Sequence, residues 1–459
     1  MIGSEASAPT VRTRRSGLIG WVLFDWAMQP FFTLVTTFVF APYFAAHLAR
    51  DAATGQAQWG YATAFAGLVI ATLSPVLGSI ADAFGRHKPW VAAFGCLMMV
   101  GSSVLWLAAP GHPGAVALAL AGFVIGTIGA EFATVFNNAM MPHLVPSAEL
   151  GRLSGTGWAV GYVGGLVSLV VVLGLLAGDP QTGKTLFGLS PLFGLDPAHH
   201  QGARVAGPLA ALWFAVFVLP MFLFTPDGRQ RSRATETVGA GLARLADTAR
   251  DLRAVPGLGR FLVANMVYTD GLVALFAFGG IYAAGVFGWS TLELGVFGIL
   301  LTITGAIGAW AGGRLDDRFG SKAVVLGALA VLFAMVVLVV SIDRSHVFFV
   351  VPVATGGGGL YAGTAAKVYL LAGAFIGLAA GPLQAASRTQ LARMAPAGSI
   401  TRFYGFFALS GKVTSFMGPL AVAIVTDWSG SQRVGAGVLA VFLVLGFVLM
   451  AGVKPPRRG

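Results

Sequence analysis

Charged residues and cysteine are scarce in this sequence. Only 10% of its 459 residues are charged, against about 25% in a typical soluble domain. So few charges cannot cover the surface of a water-soluble globule. The single cysteine, Cys96, excludes a disulfide within the chain and a cysteine metal site. The seven histidines have none of the spacings of a metal motif, and we expect neither a metal nor a cofactor.

Long apolar runs are abundant instead. Hydrophobic residues make up 56% of the sequence, and the mean hydropathy is +0.80. Because about 20 apolar residues cross the hydrocarbon core of a bilayer, these runs predict an all-α integral membrane protein with twelve transmembrane helices. The predicted spans are 19–47, 59–81, 89–109, 115–141, 154–177, 208–225, 258–286, 291–313, 322–341, 367–388, 403–426 and 433–453. The limits of the tenth are open, because residues 347–355 are apolar as well.

The basic residues are distributed unevenly about these spans. With the N-terminus inside, 22 of the 29 Lys and Arg residues fall on the inner side and 6 on the outer side. This bias follows the positive-inside rule and predicts that both termini are cytoplasmic. We expect a multi-pass protein of the inner (plasma) membrane of a bacterium. The net charge of +11 then belongs at the lipid surface, so we expect membrane lipid and no nucleic acid among the partners.

The chain divides into two similar halves around its longest polar stretch. We predict an N-terminal six-helix bundle at 1–225, a cytoplasmic linker at 226–257 and a C-terminal six-helix bundle at 258–459. Two inner loops of the first half recur in the second. Gly78, Asp82 and Gly85 correspond to Gly313, Asp317 and Gly320 at an offset of 235, and Pro146, Arg152, Gly155 and Gly161 correspond to Pro396, Arg402, Gly405 and Gly411 at an offset of 250. Because both repeats lie on the same side, the halves are predicted to be parallel repeats.

Several stretches resemble a known family. The loop from Gly78 to Lys88 resembles the signature loop of the major facilitator superfamily, and nearly the whole chain fits its two-half plan. Residues 24–32, 151–166 and 403–412 are similar to the Atg22-like (UMF1) branch, although residues 28–30 read Met-Gln-Pro where Asn-Ser-Ala is usual. The resemblance implies the major facilitator fold and secondary transport. Because fungal members are associated with amino-acid export from the vacuole, it suggests amino acids or similar small solutes as substrates.

The resemblance also implies that the two repeated loops are gates that close the cytoplasmic side. The candidate gating residues are Gly78, Asp82, Gly85, Arg86, Lys88, Gly313, Asp317, Arg318, Gly320 and Lys322. For Arg86 and Lys88, a purely topogenic role of the positive charge explains the sequence equally well. For Asp82 we favour the gate, because a carboxylate at the membrane edge needs a partner.

Ionisable residues inside the predicted spans are the strongest functional signal. They are Asp25, Glu131, Asp270 and Lys412, and each costs about 2.5–3.5 kcal/mol at the centre of a membrane helix. Helical spacing extends two of them into polar stripes, Asp25, Gln29, Thr33 and Thr36 in the first span and Thr127, Glu131, Thr134 and Asn138 in the fourth. A polar stripe in lipid faces a water-filled cavity or a neighbouring helix. The resemblance places spans one, four, seven and ten around the central cavity.

The polar residues of these four spans, with Lys412 of the eleventh, form the candidate site for substrate binding or proton coupling. The set is Asp25, Gln29, Glu131, Asn138, Asn265, Tyr268, Asp270, Gln384 and Lys412, and span ten also offers Arg388. Three acids against one base would leave a net charge of −2, so we expect Glu131 or Asp270 to exchange a proton. Lys412 either binds a substrate carboxylate or, as we prefer, neutralises an acid.

Structural roles compete with these assignments at several positions. Hydrogen bonding between helices explains Gln29 as well as a functional role does. For Trp158 and Tyr162, which are spaced as i and i+4 on the fifth span, packing beside the cavity is favoured.

Together these features predict a secondary active transporter that moves small solutes, amino acids or related metabolites among them, by alternating access with protons as the coupling ion. We expect a monomer without catalytic residues. A transporter-like receptor without flux and a membrane-embedded enzyme are the alternatives. An enzyme would need a catalytic cluster at the membrane interface, and the sequence shows none. A receptor would be expected to lack a working gate, yet both loop motifs are present.

Overall fold

Long helices make up nearly all of the structure. The computed structural model of the chain describes residues 13–84, 86–145, 150–227, 257–355, 359–394, 407, 411, 414 and 416–453. The α-helices are α1 (Arg15–Pro30), α2 (Phe40–Tyr43), α3 (Ala52–Phe84), α4 (Lys88–Val104), α5 (Ala115–Leu144), α6 (Leu150–Val171), α7 (Gln201–Arg204), α8 (Ala206–Phe217), α9 (Leu219–Phe224), α10 (Leu258–Phe287), α11 (Thr291–Phe319), α12 (Ser321–Val340), α13 (Thr364–Met394), α14 (Met417–Ser429) and α15 (Gln432–Ala451). A short antiparallel pair, β1 (His346–Val347) and β2 (Val351–Pro352), lies in the loop before α13.

The fold class predicted from the hydropathy is confirmed. Ten helices in the described part of the chain are long and apolar enough to cross a membrane. The two predicted spans outside this group are 59–81, which lies within α3, and 403–426, which is described as a continuous helix only from Met417 onward. The count of twelve therefore stays a prediction. The apolar residues 347–355 belong to the β1–β2 loop, and the tenth span is α13.

Caps and left-handed glycines set the limits of several helices. Gly288 ends α10 with φ +68°, a conformation that glycine adopts without strain. Ser290 and Glu293 then form a capping box that begins α11. Ser431 caps α15 by accepting a hydrogen bond from the Val434 N–H group. Short polar signals thus end one span and begin the next within a few residues.

The first span is not a uniform α-helix. After Pro30 the chain becomes π-helical over Phe31–Phe38, and a second π-helical stretch covers Phe44–Leu48. Pro30 has no N–H group to donate to the helix ladder, and π-helical turns inside α-helices are frequent at functional sites. The α-helical spacing assumed for the first polar stripe therefore does not hold as far as Thr36, whose hydroxyl donates to the Phe32 carbonyl at 2.6 Å.

Each half packs mainly on itself. In the first half α1 packs on α6, α8 and α9, and α4 packs on α5 and α8. In the second half α10 packs on α15, and α13 packs on α11 and α12. Because the helices alternate in direction, the termini near Phe84, Leu150, Leu258 and Met394 lie at one end of the bundle, which we call the linker end, and the opposite end is called the far end.

The halves meet most closely at the far end. The Gln56 side chain of α3 donates a hydrogen bond to the Thr426 hydroxyl of α14 at 2.8 Å. The Tyr61 hydroxyl donates to the Asp427 carboxylate, again from α3 to α14, at 3.0 Å. The π-helical and α2 segments of the first span pack against α10. The described contacts therefore hold the far end shut.

A candidate substrate site between the two halves

The candidate site lies where α6 of the first half faces α13 of the second. The Arg388 guanidinium of α13 lies over the Trp158 ring of α6, with 5.1 Å from its central carbon to the ring centroid. One turn farther along both helices, the Tyr162 and Gln384 side chains lie close enough to interact. Because α6 and α13 run in opposite directions, the two i, i+4 pairs meet as two successive rungs.

The aromatic side of this site opens onto free space. Trp158 is 43% exposed and Tyr162 is 42% exposed, although both lie well inside α6. Their rings lie 5.9 Å apart, centroid to centroid. Both side chains contact α13 of the other half, and the prediction that they serve packing alone stays a prediction.

Asp25 adds the acidic group. It lies on α1, where it is half-buried, and it is close enough to Arg388 to interact with it electrostatically. Three glycines of α6 let α1 approach, since a Cβ atom at Gly157 or Gly161 would meet Asp25 and one at Gly165 would meet Gln29 and Thr33. The predicted stripe from Asp25 to Thr33 thus lies against a neighbouring helix, with its acid next to the site.

Depth in the bundle can be read from the helix termini. Asp25 lies ten residues after the start of α1 at Arg15, and Arg388 lies six residues before the end of α13 at Met394. At about 1.5 Å per residue, these side chains start roughly 15 Å and 9 Å from the linker end. The site therefore lies on the linker-end side of the closed contacts between the halves.

The other intramembrane candidates lie elsewhere. Asp270 is 2% exposed and accepts a hydrogen bond from the Thr414 hydroxyl at 3.3 Å, within the second half. Tyr268 is buried against α13, where its hydroxyl and that of Ser387 lie 2.7 Å apart. Asn265 is buried on the same helix. On α5, Glu131 is half-buried and Asn138 is exposed. Lys412 lies outside the described residues.

The gating-loop lysines bind the ends of helices. The Lys88 ammonium donates to the Phe222 carbonyl at 2.8 Å, at the end of α9. The Lys322 ammonium donates to the Ala451 and Val453 carbonyls at 2.6 and 2.7 Å, at the end of α15. Cations near the carboxyl end of a helix are favoured by its dipole. Each half therefore uses its loop lysine to hold its own last helix.

Three of the remaining gating candidates, Arg86, Gly313 and Arg318, are exposed in the described part of the chain. The Arg318 guanidinium lies 5.2 Å from the Phe319 ring centroid. Gly320 has φ +84° in the turn between α11 and α12, a conformation that glycine adopts without strain. Gly85 lies outside the described residues. At Gly78, Asp82 and Asp317 the structure describes only the helical backbone. Their gating role stays a prediction.

Sequence reasoning left two residues out of its candidate sets. Arg388 was available as a polar residue of span ten, but its position near a basic helix end gave it a topogenic explanation. Asp316 lies next to the motif aspartate, is 5% exposed and pairs with Arg393 at 2.8 Å, with the Ser321 hydroxyl donating to it at 2.7 Å. This pair joins α11 to α13 at the linker end. Its signal in the sequence was a second acid directly beside the aspartate of the repeated motif.

Two halves of membrane helices, closed at the far end and with a polar site between them nearer the linker end, have the fold of secondary transporters of the major facilitator superfamily. A family model described as "Vacuole effluxer Atg22 like" matches residues 58–458. The chain therefore belongs to the Atg22-like family, and it is a transporter and not an enzyme.

Individual relatives agree with this family. The chain is 25% identical over 443 residues to the uncharacterized MFS-type transporter YxiO of Bacillus subtilis, and the alignment covers 94% of each protein. It is 26% identical over 330 residues to autophagy-related protein 22 of Cryptococcus neoformans, over 68% of this chain and 54% of that protein. The chain thus spans about half the length of the fungal relative.

A solved structure shows the same fold. The D-xylose-proton symporter superposes with a TM-score of 0.64 at 15% sequence identity, over 96% of this chain and 97% of that one.

Proposed function

We propose that this chain is a proton-coupled secondary transporter of small zwitterionic solutes, with amino acids as the leading class. The observation that carries the proposal is the placement of Asp25 and Arg388 on different halves, close enough to interact. A carboxylate and a guanidinium on opposite walls match the ammonium and carboxylate groups of an amino acid. Arginine binds a carboxylate through two parallel hydrogen bonds, which adds geometric specificity.

Alternating access follows from the position of this pair. A solute bound to both Asp25 and Arg388 would contact both halves at once. Its binding energy would therefore differ between the states in which the halves are apart and together. We assign the linker end to the cytoplasm, because most basic residues lie there. The far-end contacts then close the outer side, and the site opens inward.

Proton coupling is assigned to the buried acids. Asp270 is 2% exposed among the helices of the second half, and Glu131 is half-buried on α5. A charged carboxylate in this setting is costly, and binding a proton removes the charge. A carboxylate that changes its proton between the two states would link solute movement to the proton gradient.

Transport in proteoliposomes tests the proposal. The purified protein would be reconstituted and its uptake and efflux measured against a panel of amino acids, sugars and nucleosides at two pH values, with and without a protonophore. Arg388→Gln is expected to lower the transport of amino acids about 10- to 100-fold, because hydrogen bonds to a charged group contribute roughly 1.5–3 kcal/mol. Asp25→Asn is expected to act in the same direction.

The matched control removes a cation from the other end of the same helix. Lys367 is exposed near the start of α13, and Lys367→Gln is expected to leave transport unchanged. Equal losses in both variants would contradict a binding role for Arg388. Solute binding without flux would favour a receptor, and transport insensitive to pH and to the protonophore would refute proton coupling.

A further inference from the structure

An apolar crevice opens between α1 and α6 at the linker end. Its volume is about 410 Å³, within the range of small-molecule sites. It is lined by Leu18, Ile19, Val22, Leu23, Val145, Leu153, Thr156 and Val160. Seven of these eight side chains are hydrocarbon. We call this space the crevice.

The crevice is separate from the substrate site. Successive residues of an α-helix are about 100° apart, so Leu153, Thr156 and Val160 share one face of α6. Trp158 and Tyr162 lie on a different face, which meets α13. The glycine contacts between α1 and α6 lie between these two faces. The crevice therefore opens away from the central cavity, toward the hydrocarbon of the bilayer.

Helical spacing places a positive charge beside the linker-end residues that line the crevice. Arg15 is the first residue of α1 and is exposed. It precedes Leu18 and Ile19 by three and four residues, so all three share one side of the helix. Ile19 is 59% exposed along this side. An apolar slot ending at an exposed guanidinium matches the two parts of one molecule, a hydrocarbon chain and an anionic headgroup.

We propose that the crevice is a binding site for one anionic phospholipid of the leaflet at the linker end, with an acyl chain between α1 and α6 and the phosphate on Arg15. Charge complementarity identifies the headgroup, since basic residues near the cytoplasmic surface attract anionic lipids. The hydrocarbon lining identifies the chain. The lipid would wedge α1 against α6 next to the helix face that carries Asp25.

Native mass spectrometry of the full-length protein in detergent tests the site. Palmitoyl-oleoyl phosphatidylglycerol and the phosphatidylcholine with the same chains would be titrated, and their dissociation constants compared. The wild type is expected to bind the anionic lipid at least fivefold more tightly. Arg15→Gln is expected to remove this preference, since one arginine near the surface contributes about a factor of five. Val160→Trp, which fills the crevice, is expected to weaken both lipids.

Two control variants make the same types of substitution at positions away from the crevice. Arg50→Gln removes an exposed arginine at the far end of the same span, and Val441→Trp adds an indole to an exposed position on α15. Both are expected to bind lipid like the wild type. Thermal unfolding of every variant separates loss of the site from loss of the fold.

A photoactivatable acyl chain on the anionic lipid gives a second measurement. Crosslinks are expected within residues 18–23 and 153–160. Wild-type affinity in both Arg15→Gln and Val160→Trp, or crosslinks confined to other helices, would overturn the proposal. Equal binding of oleate and the phospholipid, unchanged by Arg15→Gln, would also overturn it, because the occupant would then be a fatty acid. A dimer that Val160→Trp dissociates would overturn it as well, because the occupant would then be a second copy of the chain.

Discussion

Arg388 of the second half is held against an aromatic ring of the first half. The central carbon of the guanidinium lies 5.1 Å from the centroid of the Trp158 ring, and an arginine can contact an aromatic face through the face of its planar group. Guanidinium N–H donors bind a carboxylate in the plane of the group. The tryptophan is thus a platform that orients the arginine, and we expect its aromatic face to matter more than its indole N–H group.

Replacement of the platform is expected to weaken solute binding. Trp158→Ala should raise the dissociation constant of a transported amino acid about 2- to 30-fold, the range of a cation–π interaction. Trp158→Phe keeps an aromatic face and should recover most of the affinity. Equilibrium binding of a radiolabelled solute measures both. Trp428, which is 86% exposed on α14, supplies the control Trp428→Ala, and a Phe variant as weak as the Ala variant would argue against the platform.

Asp51 stabilises the start of α3 through a pH-sensitive cap. Its carboxylate accepts bonds from the Thr54 N–H group at 2.8 Å and from the Thr54 hydroxyl at 2.7 Å, with Arg50 beside it. These interactions lower the pKa of the Asp51 carboxyl to about 2. Because the folded value lies below the unfolded value of about 3.9, the stabilisation is fully present above about pH 4 and is lost as the pH falls through 2.

Removal of this cap is expected to destabilise the protein by about 1 kcal/mol, the usual cost of losing an N-cap. Asp51→Ala should show the loss at pH 7 in thermal unfolding, and its difference from the wild type should shrink between pH 4 and pH 2. Asp51→Asn keeps an acceptor oxygen and should lose less. A constant difference across this pH range would show that the charge of Asp51 contributes nothing.

At the scale of elements, the glycine face of α6 sets how closely α1 can approach. A Cβ atom at Gly164 would lie 2.9 Å from the Trp26 carbonyl oxygen and 3.1 Å from its Cα. Backbone atoms cannot rotate away as a side-chain end can, so the helices would have to separate. Small residues at helix interfaces let membrane helices pack without a hydrophobic driving force.

Gly164→Ala is therefore expected to destabilise the fold by about 1–3 kcal/mol, as overpacking does in a core. The control is Gly437→Ala on α15, where a Cβ atom meets nothing within 4 Å, and which is expected to be neutral or to stabilise by about 0.5–1 kcal/mol. Unfolding temperatures of the purified variants give the ranking. Equal temperatures for the two variants would remove the close-contact argument.

Hydropathy predicted the elements well because membrane helices must be apolar over a fixed length. The predicted span 258–286 became α10, Leu258–Phe287, and 115–141 became α5, Ala115–Leu144. Both helices end slightly beyond the predicted apolar runs. The π-helical stretch after Pro30 could not be predicted, because apolar side chains are equally compatible with an α- or π-helical backbone.

The site was predictable in its residue types and not in its contacts. Asp25 and Gln384 were candidates because polar groups in lipid are costly. Their neighbours depend on which helix faces which, and one sequence does not contain that information. Arg388 shows what one sequence cannot decide, because a positive charge near a helix end has a topogenic explanation as well as a binding one.

At the scale of the whole molecule, the far-end contacts form one of the two closures of the proposed alternating-access cycle. A Cβ atom at Gly60 of α3 would lie 2.7 Å from the Ala423 Cβ of α14. The two helices belong to different halves, so opening of the far end must separate these positions.

A crosslink across this contact is expected to arrest transport. In a Cys96→Ser background, which removes the single native cysteine, Gly60→Cys with Ala423→Cys should form a disulfide after a shift of about 1 Å, since bridged Cβ atoms lie about 3.8 Å apart. Oxidation should lower the solute flux at least tenfold, and a reductant should restore it. Each single-cysteine variant is the control, and full flux in the oxidised pair would show that this contact need not open.

The π-helical stretch after Pro30 divides the first span into two mechanical parts. The part before it carries Asp25, and the part after it packs against α10 in the closed far end. A π turn holds about one residue more than an α turn, so conversion of one π turn to an α turn would rotate the part beyond it by about 100° relative to the part before it. The span can thus act as a torsional joint that links binding next to Asp25 to the closure of the far end.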